Sequence, residues 1–98
     1  MRDMRSKKLI VTDGSSMGDE LTKGYIREGF GVIQVPDLSG LSASSSDYLL
    51  TVMADEIQEF LKDDHQVIVL KRKGGRWTRS LLLKLARRKL LVETRDIF

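Results

Sequence analysis

Cysteine is absent from the 98-residue chain, and proline, histidine and tryptophan occur only once each. Without cysteine there is no disulfide framework, no thiolate metal site and no thiol nucleophile. The longest uninterrupted apolar run is the four residues 67–70, which is too short to cross a bilayer or to form the core of a signal peptide. These absences predict a cytoplasmic protein with no membrane partner.

A chain of 98 residues has room for one hydrophobic core. Its composition, 41% hydrophobic and 32% charged, is that of a globular protein. We therefore predict a single domain over residues 1–98. Residues 1–7, which contain three basic residues and one acid, are expected to form a flexible basic extension.

The formal net charge of +3 conceals a strong segregation of charge along the chain. Residues 13–64 contain eleven acids and three basic residues, whereas residues 65–98 contain ten basic residues and two acids. Nine of the nineteen residues at 71–89 are lysine or arginine, and none is acidic. Such segregation indicates a surface for an anionic partner, or acidic and basic surfaces that neutralise each other within the fold or between copies.

Hydrophobic periodicity and turn signals predict seven elements in the order β-α-β-α-β-α-β. The predicted strands are residues 8–12, 30–35, 67–70 and 90–98, and the predicted helices are residues 16–28, 47–63 and 77–89. Ser16 and Ser46 are the expected N-caps, a serine-rich loop fills residues 38–46, and Gly29 suits a left-handed C-terminal cap. A hairpin is the alternative for the first helix, because two internal glycines weaken it. The alternation favours a small three-layer α/β domain with a mostly parallel sheet of about four strands.

The loop after the first predicted strand is a candidate site for a small anionic ligand or a phosphoryl group. Ligands of open α/β sheets bind outside the carboxyl ends of the strands, and here that rim would hold residues 12–18, 36–46 and 71–75. The candidate ligand-binding residues are Asp13, Gly14, Ser15, Ser16 and Gly18. Glycines let the backbone approach a ligand, and the serines can donate hydrogen bonds. The loop matches neither common phosphate-binding glycine motif, so a plain turn with a helix cap is the alternative.

Residues 12–15, Thr-Asp-Gly-Ser, resemble the opening strand motif of the ribonuclease H-like nucleases. The resemblance covers four residues and implies that Asp13 is a metal ligand, with a further carboxylate such as Glu56 beside it. The cationic residues 71–73 stand where that family would place another aspartate. A nuclease of this family is therefore a less favoured function.

The third predicted helix carries the candidate polyanion-binding surface. At 100° per residue, its cations fall mainly on one side and its leucines on the other. With the basic turn that precedes it, the surface comprises Lys71, Arg72, Lys73, Arg76, Trp77, Arg79, Lys84, Arg87 and Arg88. Cations in this arrangement would neutralise the phosphates of a nucleic acid or the carboxylates of an acidic protein. Trp77 would stack on a base, or alternatively anchor the helix in the core.

The sequence offers no combination of nucleophile, base and orienting group, so a binding module is favoured over an enzyme. His65 is expected at an exposed helix end, with no cysteine or second histidine to join it in a metal site. No metal and no cofactor are predicted. The leading function is polyanion binding through the third helix. The alternatives are the small-ligand domain and a self-associating assembly subunit, a homo-oligomer held by opposite charges.

Overall fold

A computed structural model of the chain describes residues 6–14, 18–72 and 77–97. The seven predicted elements are present in the predicted order. The strands are β1 (Ser6–Asp13), β2 (Gly31–Val35), β3 (Leu61–Arg72) and β4 (Val92–Ile97), and the helices are α1 (Glu20–Arg27), α2 (Ala43–Phe60) and α3 (Trp77–Arg87). No helix within these residues combines the length and the hydropathy needed to cross a membrane.

The four strands form one parallel sheet in the order β2-β1-β3-β4. The chain moves from β1 to β2 on one side, and then returns to β3 and β4 on the other side of β1. The direction of progression therefore reverses between β1 and β3, and the carboxyl ends of the strands at such a reversal are where open α/β sheets bind ligands. The predicted small α/β domain with a parallel sheet is confirmed.

Alternate residues of the central strands point to opposite faces of the sheet and build two separate cores. Leu9 and Val11 of β1 lie in the larger core, which also contains apolar side chains of α2 and α3. Ile10 lies in the smaller core, against which Tyr25 of α1 packs. Because both faces are covered, residues 67–70 are apolar without alternation, as the sequence predicts.

Two helices begin at residues other than those predicted. Asp19, not Ser16, is the N-cap of α1, and its carboxylate accepts a hydrogen bond from the backbone N–H two residues on, at 2.9 Å. α2 begins at Ala43 rather than at residue 47, because Ser42 caps it by accepting from the Ser45 N–H at 3.1 Å. The predicted serine-rich loop is therefore partly helical, and the segment after β1 forms a helix rather than a hairpin.

β1 and β3 extend beyond the predicted strands. β1 begins at Ser6, so the end of the predicted flexible extension belongs to the sheet, and residues 1–5 lie outside the described ranges. At its carboxyl end β3 continues through Lys71 and Arg72, which pair with β4 instead of forming a turn. His65 lies within β3 and not at a helix end, near a register shift between β1 and β3.

α1 and α3 end in the same left-handed turn. Gly29 follows α1 with a φ of 94°, and the next N–H donates to the carbonyl five residues before it at 3.1 Å. Lys89 follows α3 with a φ of 60°, and the equivalent hydrogen bond is 3.3 Å. The predicted left-handed glycine is confirmed at Gly29. Lys89 adopts the same left-handed conformation although it is not a glycine. This turn ends α3 at Arg87, before the predicted end at residue 89.

Candidate ligand-binding cleft

The carboxyl edge of the sheet brings the ends of β1 and β2 together. Asp13 and Val35, the last residues of the two strands, are partners in the sheet register. A cleft of about 450 Å³ opens at this edge. Its lining residues are Asp13, Gly14, Gln34, Val35, Pro36, Asp37, Leu38 and Trp77. The cleft therefore lies at the carboxyl end of β1, the strand next to which the direction of strand progression reverses.

Gly14 lies directly against the side chain of Gln34. A Cβ atom at position 14 would lie 2.8 Å from Gln34 Nε2, closer than real Cβ atoms approach their neighbours. Any side chain at Gly14 must therefore displace the Gln34 amide group. The glycine allows the carboxamide to stay next to the end of β1, where it forms part of the cleft wall.

Trp77, the first residue of α3, lies on the wall of this cleft and of a second cleft beside it. The second cleft, of about 680 Å³, runs between the first turns of α2 and α3. It is lined by Asp37, Leu38, Ser39, Leu41, Ala43, Ser46, Asp47, Leu50, Trp77 and Ser80. The half-buried indole ring also packs against the larger core, so Trp77 anchors α3 while it forms the wall that the two clefts share.

Asp37 is the charged residue common to both clefts. Its carboxylate accepts a hydrogen bond from the Ser39 N–H at 2.9 Å. Hydrogen bonds from the Ser39 side chain and backbone lower the pKa of the Asp37 carboxyl below its ordinary value. Asp37 therefore stays ionised to lower pH than an ordinary aspartate and presents only hydrogen-bond acceptors at neutral pH.

Two of the five predicted ligand-binding residues lie in the cleft. Asp13 and Gly14 line it, whereas Gly18 is exposed and lines neither cleft. Ser15 and Ser16 lie outside the described residues. The cap predicted at Ser16 is supplied by Asp19, so the structure contains a turn and a cap here together with a cleft.

Sequence reasoning missed the contribution of β2 and the segment after it. Pro36 and Leu38 belong to the rim that the sequence places at the carboxyl edge, but no motif distinguishes them from other loop residues. Gln34 carries no sequence signal, because its position beside Gly14 depends on the β1–β2 register. Trp77 is predicted either to stack on a base beside the basic surface or to anchor the helix in the core. It packs against the larger core, and its place on the walls of both clefts is not visible in the sequence.

Two of the cations predicted to bind polyanions are held by α2 instead. Lys84 is buried, and its Nζ lies 2.5 Å from Asp47 Oδ1. Arg88 donates from Nε and Nη2 to Asp55 Oδ1, at 2.9 and 2.7 Å. Helical periodicity alone places both cations on the exposed side of α3. The neighbouring acidic helix reverses that expectation, because it offers each cation a carboxylate.

The other described cations of the predicted polyanion-binding surface lie on α3 and at the end of β3. Arg79 and Arg87 are exposed on α3. Lys71 lies at the end of β3, where its Nζ is 3.6 Å from Asp96 Oδ1 of β4. Lys73 and Arg76, which are also predicted cations of this surface, lie outside the described residues, as does the side chain of Arg72. The described ranges therefore include only part of the predicted polyanion-binding surface.

The arrangement required of a two-metal nuclease is not formed by the residues that the structure describes. Asp13 lies at the carboxyl edge of β1, whereas Glu56 is exposed in the second half of α2. Within residues 6–14, 18–72 and 77–97, no three histidine, cysteine, aspartate or glutamate residues are grouped closely enough to hold a metal ion. The resemblance at residues 12–15 thus has no support from neighbouring carboxylates.

Comparison of the chain with protein-family models, curated proteins and solved structures gives no match. The chemistry of the cleft must therefore indicate its ligand. The described walls combine two carboxylates, a carboxamide and an indole ring with the apolar Val35 and Leu38. This combination suits a small organic molecule that has an apolar ring and several hydrogen-bond donors.

Proposed function

We propose that the protein binds a small polar aromatic molecule, of which a nucleoside is the simplest example, in the cleft of about 450 Å³ at the carboxyl edge. The observation that supports this function is the presence of Trp77, Asp13 and Asp37 on the walls of that single cleft. An indole ring gives a stacking surface for a flat base. Carboxylates accept hydrogen bonds from sugar hydroxyls, as they do in other α/β sheets that bind nucleotides.

The position and the size of the cleft favour the same function. It lies where strand progression reverses, next to the ends of β1 and β2. Its volume falls within the range of about 300–1,000 Å³ that is typical of small-molecule sites. The described wall residues include no histidine, lysine or cysteine, so the proposed function is binding without a chemical step.

A neutral ligand fits the described walls better than the anionic ligand expected from the loop sequence. The Asp37 carboxylate would repel a phosphate, and its lowered pKa keeps it ionised to lower pH than an ordinary aspartate. The described cleft walls include no cation, and Lys71, at the carboxyl end of β3, pairs with Asp96. A nucleoside should therefore bind more tightly than its monophosphate.

Binding to a polyanion is the weaker candidate. Lys84 and Arg88 are occupied by Asp47 and Asp55. The described part of α3 therefore presents two exposed arginines rather than a continuous basic surface. The proposed ligand is instead a small cytosolic metabolite.

The fluorescence of Trp77 gives a direct test, because this residue is the single tryptophan of the chain. Each common nucleoside is titrated to about 10 mM, and a saturable change in emission is expected at a Kd of roughly 0.1–1 mM. Asp13→Asn and Asp37→Asn should each weaken binding about tenfold, since each loses a charge-assisted hydrogen bond. Glu28→Gln, which removes an exposed carboxylate at the end of α1, is the matched control and should leave the Kd unchanged.

Two results would contradict the proposed function. One is the absence of any saturable change in Trp77 emission with nucleosides. The other is binding that Asp13→Asn and Asp37→Asn leave unaltered. Tighter binding of the monophosphates than of the nucleosides would restore the anionic-ligand interpretation and would point to the basic residues that follow β3.

A further inference from the structure

The second cleft, of about 680 Å³, plays no part in the proposed function so far. It shares the lining residues Asp37, Leu38 and Trp77 with the first cleft, the one of about 450 Å³ at the carboxyl edge. Three common wall residues place the two clefts next to each other. A molecule that binds in the first cleft therefore lies beside a second and larger space.

The segment between β2 and α2 contributes an apolar wall to the second cleft in an ordered turn. Gly40 has a φ of 82°, and the Leu41 N–H donates to the Leu38 carbonyl at 3.2 Å. Leu38 packs against the larger core, whereas Leu41 lines the second cleft and is 43% exposed. A leucine that is exposed in an ordered turn offers apolar surface that a ligand can cover with little loss of chain entropy.

The other described walls of the second cleft are mainly apolar or neutral. Ala43, Leu50 and the indole ring of Trp77 add apolar surface, and three serines add uncharged hydroxyl groups. Asp47 pairs with the buried Lys84 of α3, so the charge of its carboxylate is neutralised within the fold. The second cleft therefore suits an apolar group better than a charged one.

We propose that the second cleft binds an apolar substituent on the 5′ carbon of a nucleoside whose base lies in the first cleft. This inference rests on the proposed function, and it narrows the ligand to nucleosides with an uncharged chain of a few carbon atoms. Asp37 lines both clefts and accepts hydrogen bonds, so it suits the ribose hydroxyls where the clefts meet. When the 2′ and 3′ hydroxyls bind this carboxylate, the 5′ carbon remains free to carry the chain.

Trp77 explains why the two groups belong to one molecule. Its indole ring lines both clefts, so the base and the chain cover parts of the same side chain. Burial of the chain adds affinity in proportion to the apolar area that it removes from water. A ligand that carries both groups loses its translational freedom only once, so it binds more tightly than either group does alone.

Derivatives of adenosine with a thioether chain on the 5′ carbon test the inference through the emission of Trp77. The probes are the methylthio, propylthio and 2-hydroxyethylthio compounds, and the same chains on uridine extend the test to pyrimidines. The propylthio compound should bind about tenfold more tightly than the methylthio compound, because it buries two more methylene groups. The hydroxyethylthio compound has the same length but ends in a hydroxyl group, so it should show no such gain.

Two variants change the second cleft at residues that do not line the first. Leu41→Ser removes exposed apolar surface, and Ala43→Phe fills the cleft from an exposed position at the start of α2. Each should reduce the gain from the propyl chain to about threefold or less and leave the Kd of the unsubstituted nucleoside unchanged. Leu21→Ser replaces a leucine of α1 that is 38% exposed, and as the matched control it should keep the full gain.

The outcomes separate this inference from the proposed function. Binding of unsubstituted nucleosides without any gain from the propyl chain would overturn the inference and leave the proposed function intact. A gain that both Leu41→Ser and Ala43→Phe leave unaltered would also overturn it, because the chain would then lie outside the second cleft. If neither the nucleosides nor their derivatives bind, the proposed function and the inference are both wrong.

Discussion

The two faces of the sheet are covered very unequally. α2 and α3, with 18 and 11 residues, pack on one face over a core to which the described part of the chain contributes twelve buried residues. α1, with 8 residues, packs on the other face, where five of the described residues form the buried core. Both clefts lined by Trp77, and the two ion pairs between helices, belong to the face of α2 and α3. The more heavily covered face thus holds the larger core, and Trp77 connects it to both clefts.

The difference shows how a neighbouring helix changes the meaning of a sequence pattern. Within residues 6–14, 18–72 and 77–97, α1 has no second helix beside it, and its polar residues face solvent as its own periodicity predicts. α3 lies against α2, and Lys84 of α3 and Arg88, directly after it, form ion pairs with α2 that the sequence of α3 does not reveal. Function is therefore harder to predict on the face where helices meet.

The largest difference between the faces should appear in leucine and isoleucine truncations. Leu85 of α3 is completely buried, and Leu85→Ala should lower the free energy of unfolding by about 3 kcal/mol. Ile26 of α1 is 41% exposed, and Ile26→Ala should lower it by less than about 1 kcal/mol. Urea unfolding followed by circular dichroism measures both. Equal losses would show that the two faces contribute alike.

The second largest difference between the two faces should be in the coupling free energy of their ion pairs. Lys84 is buried beside Asp47, so a double-mutant cycle with Lys84→Met and Asp47→Asn should give a coupling of about 1–2 kcal/mol. Lys23 and Glu20 of α1 are both exposed and 3.7 Å apart, and their coupling should be below about 0.5 kcal/mol. Both cycles use urea unfolding at low salt. A coupling at Lys84 no greater than that at Lys23 would contradict the account of the α2–α3 contact.

The N-cap of α1 gives a smaller effect on the thinly covered face. Asp19→Ala removes the hydrogen bond to the first turn and should lower the free energy of unfolding by about 1 kcal/mol. Asp19→Asn keeps a hydrogen-bond acceptor in place and should lower the free energy of unfolding by clearly less than Asp19→Ala does. Thermal unfolding of the three proteins checks the order. If alanine and asparagine behave alike, the side chain of Asp19 does not act as a cap.

The smallest expected change is an increase in the free energy of unfolding, produced by a substitution at the end of α3. Lys89 has a φ of 60°, so Lys89→Gly should raise the free energy of unfolding by about 0.5–1 kcal/mol through relief of a left-handed conformation. Gly29→Ala, at the equivalent turn after α1, should lower it by a similar amount. The two variants together test whether the turns after α1 and α3 are equivalent. A lower free energy of unfolding for Lys89→Gly would show that they are not.

The sequence predicts the fold well because the strongest patterns are local. The leucine and isoleucine spacing of α2, the apolar run at residues 67–70 and the left-handed Gly29 are each visible within one element. Boundaries are predicted less well where several residues can serve as caps. Ser42 and Ser46 both suit an N-cap, and only the structure shows which of them accepts the hydrogen bond.

The candidate site was predictable in its location but not in its composition. Asp13 and Gly14 follow from the rule that ligands bind at the carboxyl ends of parallel strands. The contributions of Gln34 and Trp77 depend on sheet register and on helix packing, which no local pattern encodes. The burial of Lys84 and Arg88 likewise depends on contacts with residues more than thirty positions away in the chain.

The most direct test of the proposed function is to locate where on the protein a nucleoside binds. Titration of the ¹⁵N-labelled chain with nucleosides, followed by proton–nitrogen correlation spectra, locates the bound molecule residue by residue. The largest shifts are expected at the cleft walls, on Gly14, Gln34, Asp37, Leu38 and the indole N–H of Trp77. Shifts concentrated on the outer surface of α3 or on α1, or no saturable shifts at all, would contradict it.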